Sequence, residues 1–413
     1  MSLMSFLAVL AFGFVVPAAE AASVLMSRSN SSSPAGAVYF ISNDPASNAV
    51  LTSSIGSNGK LTFGQAVPTH GKGSHGDDGT NNAGTDPLYS ANSVVVNAPS
   101  RLLAAVNAGS NTVSLFEINA NNPSNLTMIG FPASSNGDFP VSLVFNKAGN
   151  KLCVLNGGGN GAIACFNVDK AQGLQHRPES VRALALNQTT PSSGPAGSAS
   201  TIAFSEDETQ LVVAVKGLPS KQGYFMIWSI SGDGTLSSNS TTIYTPGKDG
   251  SLPFSLTPIP GKNAYLAADA AYGANIFELS GTKNASAVKF DVPQHGAICW
   301  STYSSKTKNF YVADAMTNVI TEIHLDGNLR PSTVKQYPTI ANASTHDLTV
   351  ATIGGKDYLY ASIVTATSVR VMRLDGPGSV HAIQTLDLSS PARKDGARLA
   401  PAYMSGLASY VKP

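Results

Sequence analysis

The chain has 413 residues, of which 42% are hydrophobic and 12% charged, with 26 Lys and Arg against 25 Asp and Glu for a formal net charge of +1. So even a balance leaves no basic face for nucleic acid, and beyond the N-terminus no stretch stays apolar for the ~18 residues that a membrane-spanning helix needs. The length fits two average domains or one large one.

The first 22 residues hold an apolar core at 6–16, then Pro17 and the small-x-small triplet Ala19-Glu20-Ala21. They predict a secretory signal over 1–22, although no Lys or Arg precedes the core, and a mature domain over 23–413. The stretch is Ala-rich and lacks the period-2 alternation of a strand.

Downstream, a short β-rich run ending in a small polar pair recurs seven times, at 38–44, 102–108, 152–157, 211–217, 264–270, 310–316 and 359–364. A period near 50 residues, with no helical pattern between runs, predicts an all-β, seven-bladed β-propeller of four-stranded antiparallel blades. The fourth unit shows the plan: strands at 200–204, 210–215, 224–230 and 241–244, with Gly232-Asp233-Gly234 turning between the last two. The second unit begins near Ser93, the third spans 141–185, the fifth 254–292, the sixth 297–337 and the seventh 348–388. The first has only three strands of its own, so the first blade is expected from 37–67 plus 402–411, the C-terminal strand closing the ring against the N-terminal one.

Three local features stand apart from the repeat. Between the first and second units lies the Gly-rich stretch 70–79, in which His70, His75, Asp77 and Asp78 form a flexible surface loop rather than a divalent-metal site, and a candidate lid beside the ring mouth. Cys153 and Cys165 flank the turn 156–161 and fall opposite each other on adjacent strands, as a cross-strand disulfide or as two buried thiols; Cys299 is left over as a core residue. Sequons at Asn30, Asn125, Asn187, Asn239, Asn284 and Asn342 mark expected N-glycans, a solubilising layer for a chain so poor in charge.

Starts of inner strands and ends of second strands meet at one mouth of a propeller, where ligands usually bind. These places put Lys216, His295 and His346 forward as candidate catalytic groups. Phe139, Phe254, Asp269, Tyr272, Trp300, Met316 and Asp347 are candidates for substrate contact. Asp269 has the alternative role of holding its turn, and Trp300 that of a core residue. No cofactor and no resident metal is expected, since no CxxC or His cluster is present.

The pattern in 202–213 (IAFSEDETQLVV), with 84–90 (GTDPLYS), 93–96 (SVVV) and 139–142 (FPVS), resembles the secreted fungal branch of the lactonase-like seven-bladed propellers. That family includes phosphogluconolactonases and carboxymuconate-cyclising enzymes, and the resemblance covers the mature chain. It implies a His, an Arg, a Glu and a second Arg at the rim; here those places hold Pro140-Val141, Ala199-Ser200-Thr201, Val215-Lys216 and Asp269-Ala270. Without that set, the resemblance and the residues together suggest a secreted enzyme that binds a small, largely apolar, oxygenated molecule. It would promote ring formation or isomerisation, including cycloaddition in secondary metabolism, by positioning and hydrogen bonding. A non-catalytic adhesin- or antigen-like propeller and a metal-dependent lactonase are the alternatives. The expected partner is a small organic substrate and the expected state a monomer, with an oligomer left open.

Overall fold

Each of the seven apolar runs is the second strand of an antiparallel sheet, and the seven sheets form a β-propeller. The computed structural model describes residues 33–80, 84–247, 249–279 and 287–413. The expected signal sequence and the sequons at Asn30 and Asn284 lie outside the described residues. Second strands such as Leu102–Asn107, Ala264–Asp269 and Asn309–Asp314 are buried along their whole length. A strand covered on both faces by neighbouring blades can be apolar throughout, which is why these runs do not alternate. Outermost strands such as Leu61–Pro68 and Thr241–Tyr244 are largely open to solvent.

The first blade closes as expected. Gly36–Ile41 pairs antiparallel with Ser405–Val411 on its inner side and with Ala49–Ile55 on its outer side. The second blade departs from the plan, because its outermost strand is split: Leu126–Met128 and Ala133–Ser134 pair in turn with the same strand, Thr112–Ile118. Cys153 and Cys165 are direct cross-strand partners and are disulfide-bonded; Cys299 is a buried free thiol.

Buried tyrosines tie blade to blade, each spending its apolar ring on the core and its hydroxyl on a neighbour's backbone. Tyr39 donates to the Pro123 carbonyl and Tyr360 to that of Gly59, at 2.8 and 2.9 Å, and Tyr265 donates to that of Phe204. Among the sequons, Asn125, Asn187, Asn239 and Asn342 are exposed. No helix among the described residues is long and apolar enough to cross a membrane.

Candidate functional site

The polar residues that end the second strands mostly serve the turns that follow. Asp314 accepts backbone N–H bonds from Gly296, Ala297, Met316 and Thr317 at 2.6–3.0 Å. Burial pushes its carboxyl up, but these four donors outweigh it and hold it below the usual range. Asp269 accepts from Leu252 and Ala271 and from the Asn275 amide, yet burial wins there and its pKa is raised.

Lys216 is different. Its side chain is 1% exposed, lies over the Phe254 ring at 4.8 Å, and donates to the carbonyl of Tyr89 at 2.6 Å. Phe254 meets Trp300 edge-on at 5.1 Å, and Trp300 stacks on His346 at 4.2 Å. Beyond His346, Asp347 accepts the backbone N–H of Gly406. Five of the expected rim residues, from blades four to seven, thus form one contiguous buried row. Burial lowers Lys216 to about 7 against the opposing charge of Asp86, and lowers His346 to about 3. Burial also raises Asp347 to about 8, with the Asp86 charge adding to it, and raises Asp86 itself to about 6 against Lys216.

The remaining expected residues lie elsewhere. His295 presents both ring nitrogens to backbone carbonyls, those of Val292 and Ala271. Tyr272 donates to Asn275 within its own blade and carries Lys289 over its ring, and Phe139 is buried with its N–H on Asn111. Met316 is 72% exposed.

What covers the buried row is a strap made of the described segments 69–80 and 84–92, whose contacts run to several blades around the mouth. Its first part is partly open, with His70, Lys72, Asp77, Gly79 and Thr80 exposed, and the segment 87–91 is buried. Gly73 donates to the Asp44 carbonyl, and Asn43 brackets Ser74 with both ends of its amide. His75 sets its two nitrogens on the carbonyls of Gly76 and Gly84 and its ring edge-on to Tyr403. The Asp77 backbone pairs with Ser192 and Gly194 of the third blade's outgoing loop, while Asp77 and Asp78 spend their carboxylates on Gly79 and Thr80. Leu88, Tyr89, Ser90 and Ala91 are then buried in the ring.

There the strap uses the free inner edges of the blades. Ala91 donates to Ser200, Asn92 accepts from Leu143, Ser90 donates to Val141, and Trp300 donates from Nε1 to the Ser90 carbonyl. Thr85 joins Ser344 and His346 in one hydroxyl and imidazole cluster. Thr85, Asp86, Tyr89 and Ser344 were not singled out in the sequence. Only the glycines at 71, 73 and 76 hinted at close backbone approach there. A Cβ on Gly73 would stand 1.9 Å from the Asn43 carbonyl oxygen.

Among the open spaces of the described residues, two bear on the ring mouth and its channel. A cleft of about 870 Å³ lies on the mouth side between the third and fourth blades, reaching Lys216 and bounded by Asn187, Leu218, Tyr224 and Tyr244. The central channel offers about 430 Å³, lined by Asn92 and by inner-strand residues such as Thr257, Ser301 and Thr349. Among the described residues no three His, Cys, Asp or Glu side chains come together closely enough to hold a metal ion.

No protein-family profile and no curated protein sequence matches the chain. Its fold is similar to that of the periplasmic gluconolactonase of Pseudomonas aeruginosa, with 15% identity, a TM-score of 0.64, and 92% of this chain and 99% of that one covered. It is similar to a proposed 6-phosphogluconolactonase from Bacteroides fragilis at 14% identity and a TM-score of 0.63, over 91% and 98% of the two chains. A second such protein, from Bacteroides uniformis, gives 14% and 0.62 over 86% and 97%. At these identities the likeness is one of fold, that of lactonase-like seven-bladed propellers, and it does not extend to the fungal cyclase branch.

Proposed function

We propose that the protein is a secreted, glycosylated binding propeller without catalytic activity at its ring mouth. The observation that carries this reading is the seal. The groups that could polarise or protonate a substrate already have strap atoms as hydrogen-bond partners and are almost wholly buried, Lys216 at 1% and His346 at 2% exposure, so a reactant would have to displace the strap's own atoms to bond to them. Lys216 is engaged by Tyr89, Trp300 by Ser90, and His346 by Thr85. The rim positions of the lactonase-like family hold Val141, Ser200, Lys216 and Ala270, which supply no equivalent of its His, Arg and Glu.

Secretion is supported by the apolar 1–22 segment, the four exposed sequons and the Cys153–Cys165 bond, which persists in an oxidising compartment. Recognition then falls to the rigid outer face, adhesin-like, with glycan or protein as partner. Incubating the purified protein with a panel of lactones and cyclisable enones, with and without chelator, is expected to give no turnover. Turnover that disappears on Lys216→Met or His346→Ala overturns the reading.

One observation favours a second reading, an isomerising or cyclising enzyme acting beneath the strap. Four strongly perturbed ionisable groups, Asp86, Lys216, His346 and Asp347, share one apolar enclosure, a pattern common at catalytic sites. It requires residues 84–92 to swing out. Amide hydrogen exchange decides it: rapid exchange at 87–92, in step with turnover, supports the enzyme, and slow exchange supports the seal.

A further inference from the structure

We infer that the cleft between the third and fourth blades is filled by the chain's own N-linked glycan, carried by Asn187. The inference rests on the secretion reading above, and goes beyond it in assigning one glycan a fixed, packed position on the protein.

The cleft has apolar lining residues that stay open to solvent among the described residues. Leu218 is 40% and Tyr244 60% exposed, two of the few large hydrophobic side chains left open to solvent. Tyr244 is the direct cross-strand partner of Tyr224, and their rings stand 5.9 Å apart, giving a broad aromatic surface on the outer edge of the fourth blade. Met226, two residues along, lines the same space. Polar groups line it as well, Lys221 and Asp249 among them. An aromatic surface with polar groups in the same lining suits a sugar ring, which offers an apolar C–H face and hydroxyl and acetamido groups around its edge.

Asn187 selects the occupant. It is exposed, it forms part of the cleft wall, and it heads the sequon Asn187-Gln188-Thr189. Because the glycan is tethered at the wall, its first sugars meet the aromatic surface at an effective concentration in the millimolar range or above. Contacts too weak to hold a free saccharide therefore suffice. The cleft's volume of about 870 Å³ lies within the range that encloses a ligand of several hundred daltons.

The test is site-resolved deglycosylation of the native protein, secreted from a eukaryotic host and followed by glycopeptide mass spectrometry. Under a glycosidase that releases exposed N-glycans, the Asn125 and Asn239 glycans are expected to leave at least about ten-fold faster than the Asn187 glycan, equivalent to about 1.4 kcal/mol of protection. Tyr244→Ala, on an exposed outer strand, should abolish the difference. Asn187→Gln should raise hydroxyl-radical labelling of Tyr244 severalfold. Equal release at all sites, or an empty Asn187 beside occupied Asn125 and Asn239, overturns the inference and leaves secretion standing. Absence of glycan at every sequon overturns both. An unchanged Tyr244 labelling in Asn187→Gln, with the cleft instead taking up added oligosaccharide, assigns it to an outside ligand and also overturns the inference.

Discussion

The Nζ of Lys216 donates to the carbonyl oxygen of Tyr89 at 2.6 Å, joining the fourth blade to a strap 127 positions earlier in the chain. A neutral amine can still donate this bond, though more weakly than an ammonium, and burial favours the neutral form. The same contact that fills the ring mouth therefore removes the one amine that could have acted there.

Replacing Lys216 by Met keeps the length of the side chain and its contact with Phe254 but leaves the Tyr89 carbonyl without its donor. An unsatisfied buried acceptor costs about 1–3 kcal/mol. Urea denaturation should show a loss of this size, and amide exchange should accelerate at 87–92 more than in the blades. A variant as stable as the parent, with an unchanged exchange pattern, would show that Lys216 does not anchor the strap.

Asp347 gives a pH dependence with a definite sign. Burial first, and the Asp86 charge second, raise its pKa from 3.8 to about 8, so the folded protein holds this proton more tightly than the unfolded chain does. Its contribution to stability is complete below the unfolded value and is lost as pH rises through the folded one. Relative to Asp347→Asn, the parent should lose about 1.4 kcal/mol per pH unit between roughly pH 5 and pH 7. Denaturation series on both proteins at matched pH measure the difference, and parallel curves would refute it.

Ending the chain at Pro401 removes Ser405–Val411, the innermost strand of the first blade and the partner of Gly36–Ile41. The inner edge of Gly36–Ile41 would then be uncovered. We expect loss of cooperative unfolding and aggregation, where trimming a dispensable tail would leave the melting temperature unchanged.

The Cys153–Cys165 bond closes a loop with a sequence separation of 12. On chain-entropy grounds, Cys153→Ser with Cys165→Ser should cost about 2–3 kcal/mol. Thiol titration of the parent should find a single group, Cys299, that reacts only on unfolding because it is buried.

How far these features were legible in the sequence depended on whether they repeat. The second strands could be located because a run such as Ala264–Asp269 is apolar throughout and recurs, and Ser405–Val411 because it had a strand pattern and no unit of its own. The row Lys216, Phe254, Trp300, His346 could be assembled from repeat positions alone. His295 occupies an equivalent position, but its ring nitrogens go to Val292 and Ala271, a local choice that no repeat encodes. The strap was hardest to foresee. Its glycines suggest flexibility, yet Gly73 is there because backbone lies where a side chain would be, and Gly109 of the second blade is small for the same reason: a Cβ on Gly109 would fall 2.1 Å from the Gly73 carbonyl oxygen. Long-range closeness of that kind leaves no periodic trace.

The pairing of Gly36–Ile41 with Ser405–Val411 also orders events in time. Gly36–Ile41 must wait for Ser405–Val411 to be made before its inner edge is covered, so the ring stays open while the blades between them are synthesised. Throughout that wait the incomplete circle presents an open strand to every other nascent copy, which is when sugars added to the growing chain would do most to keep the copies apart.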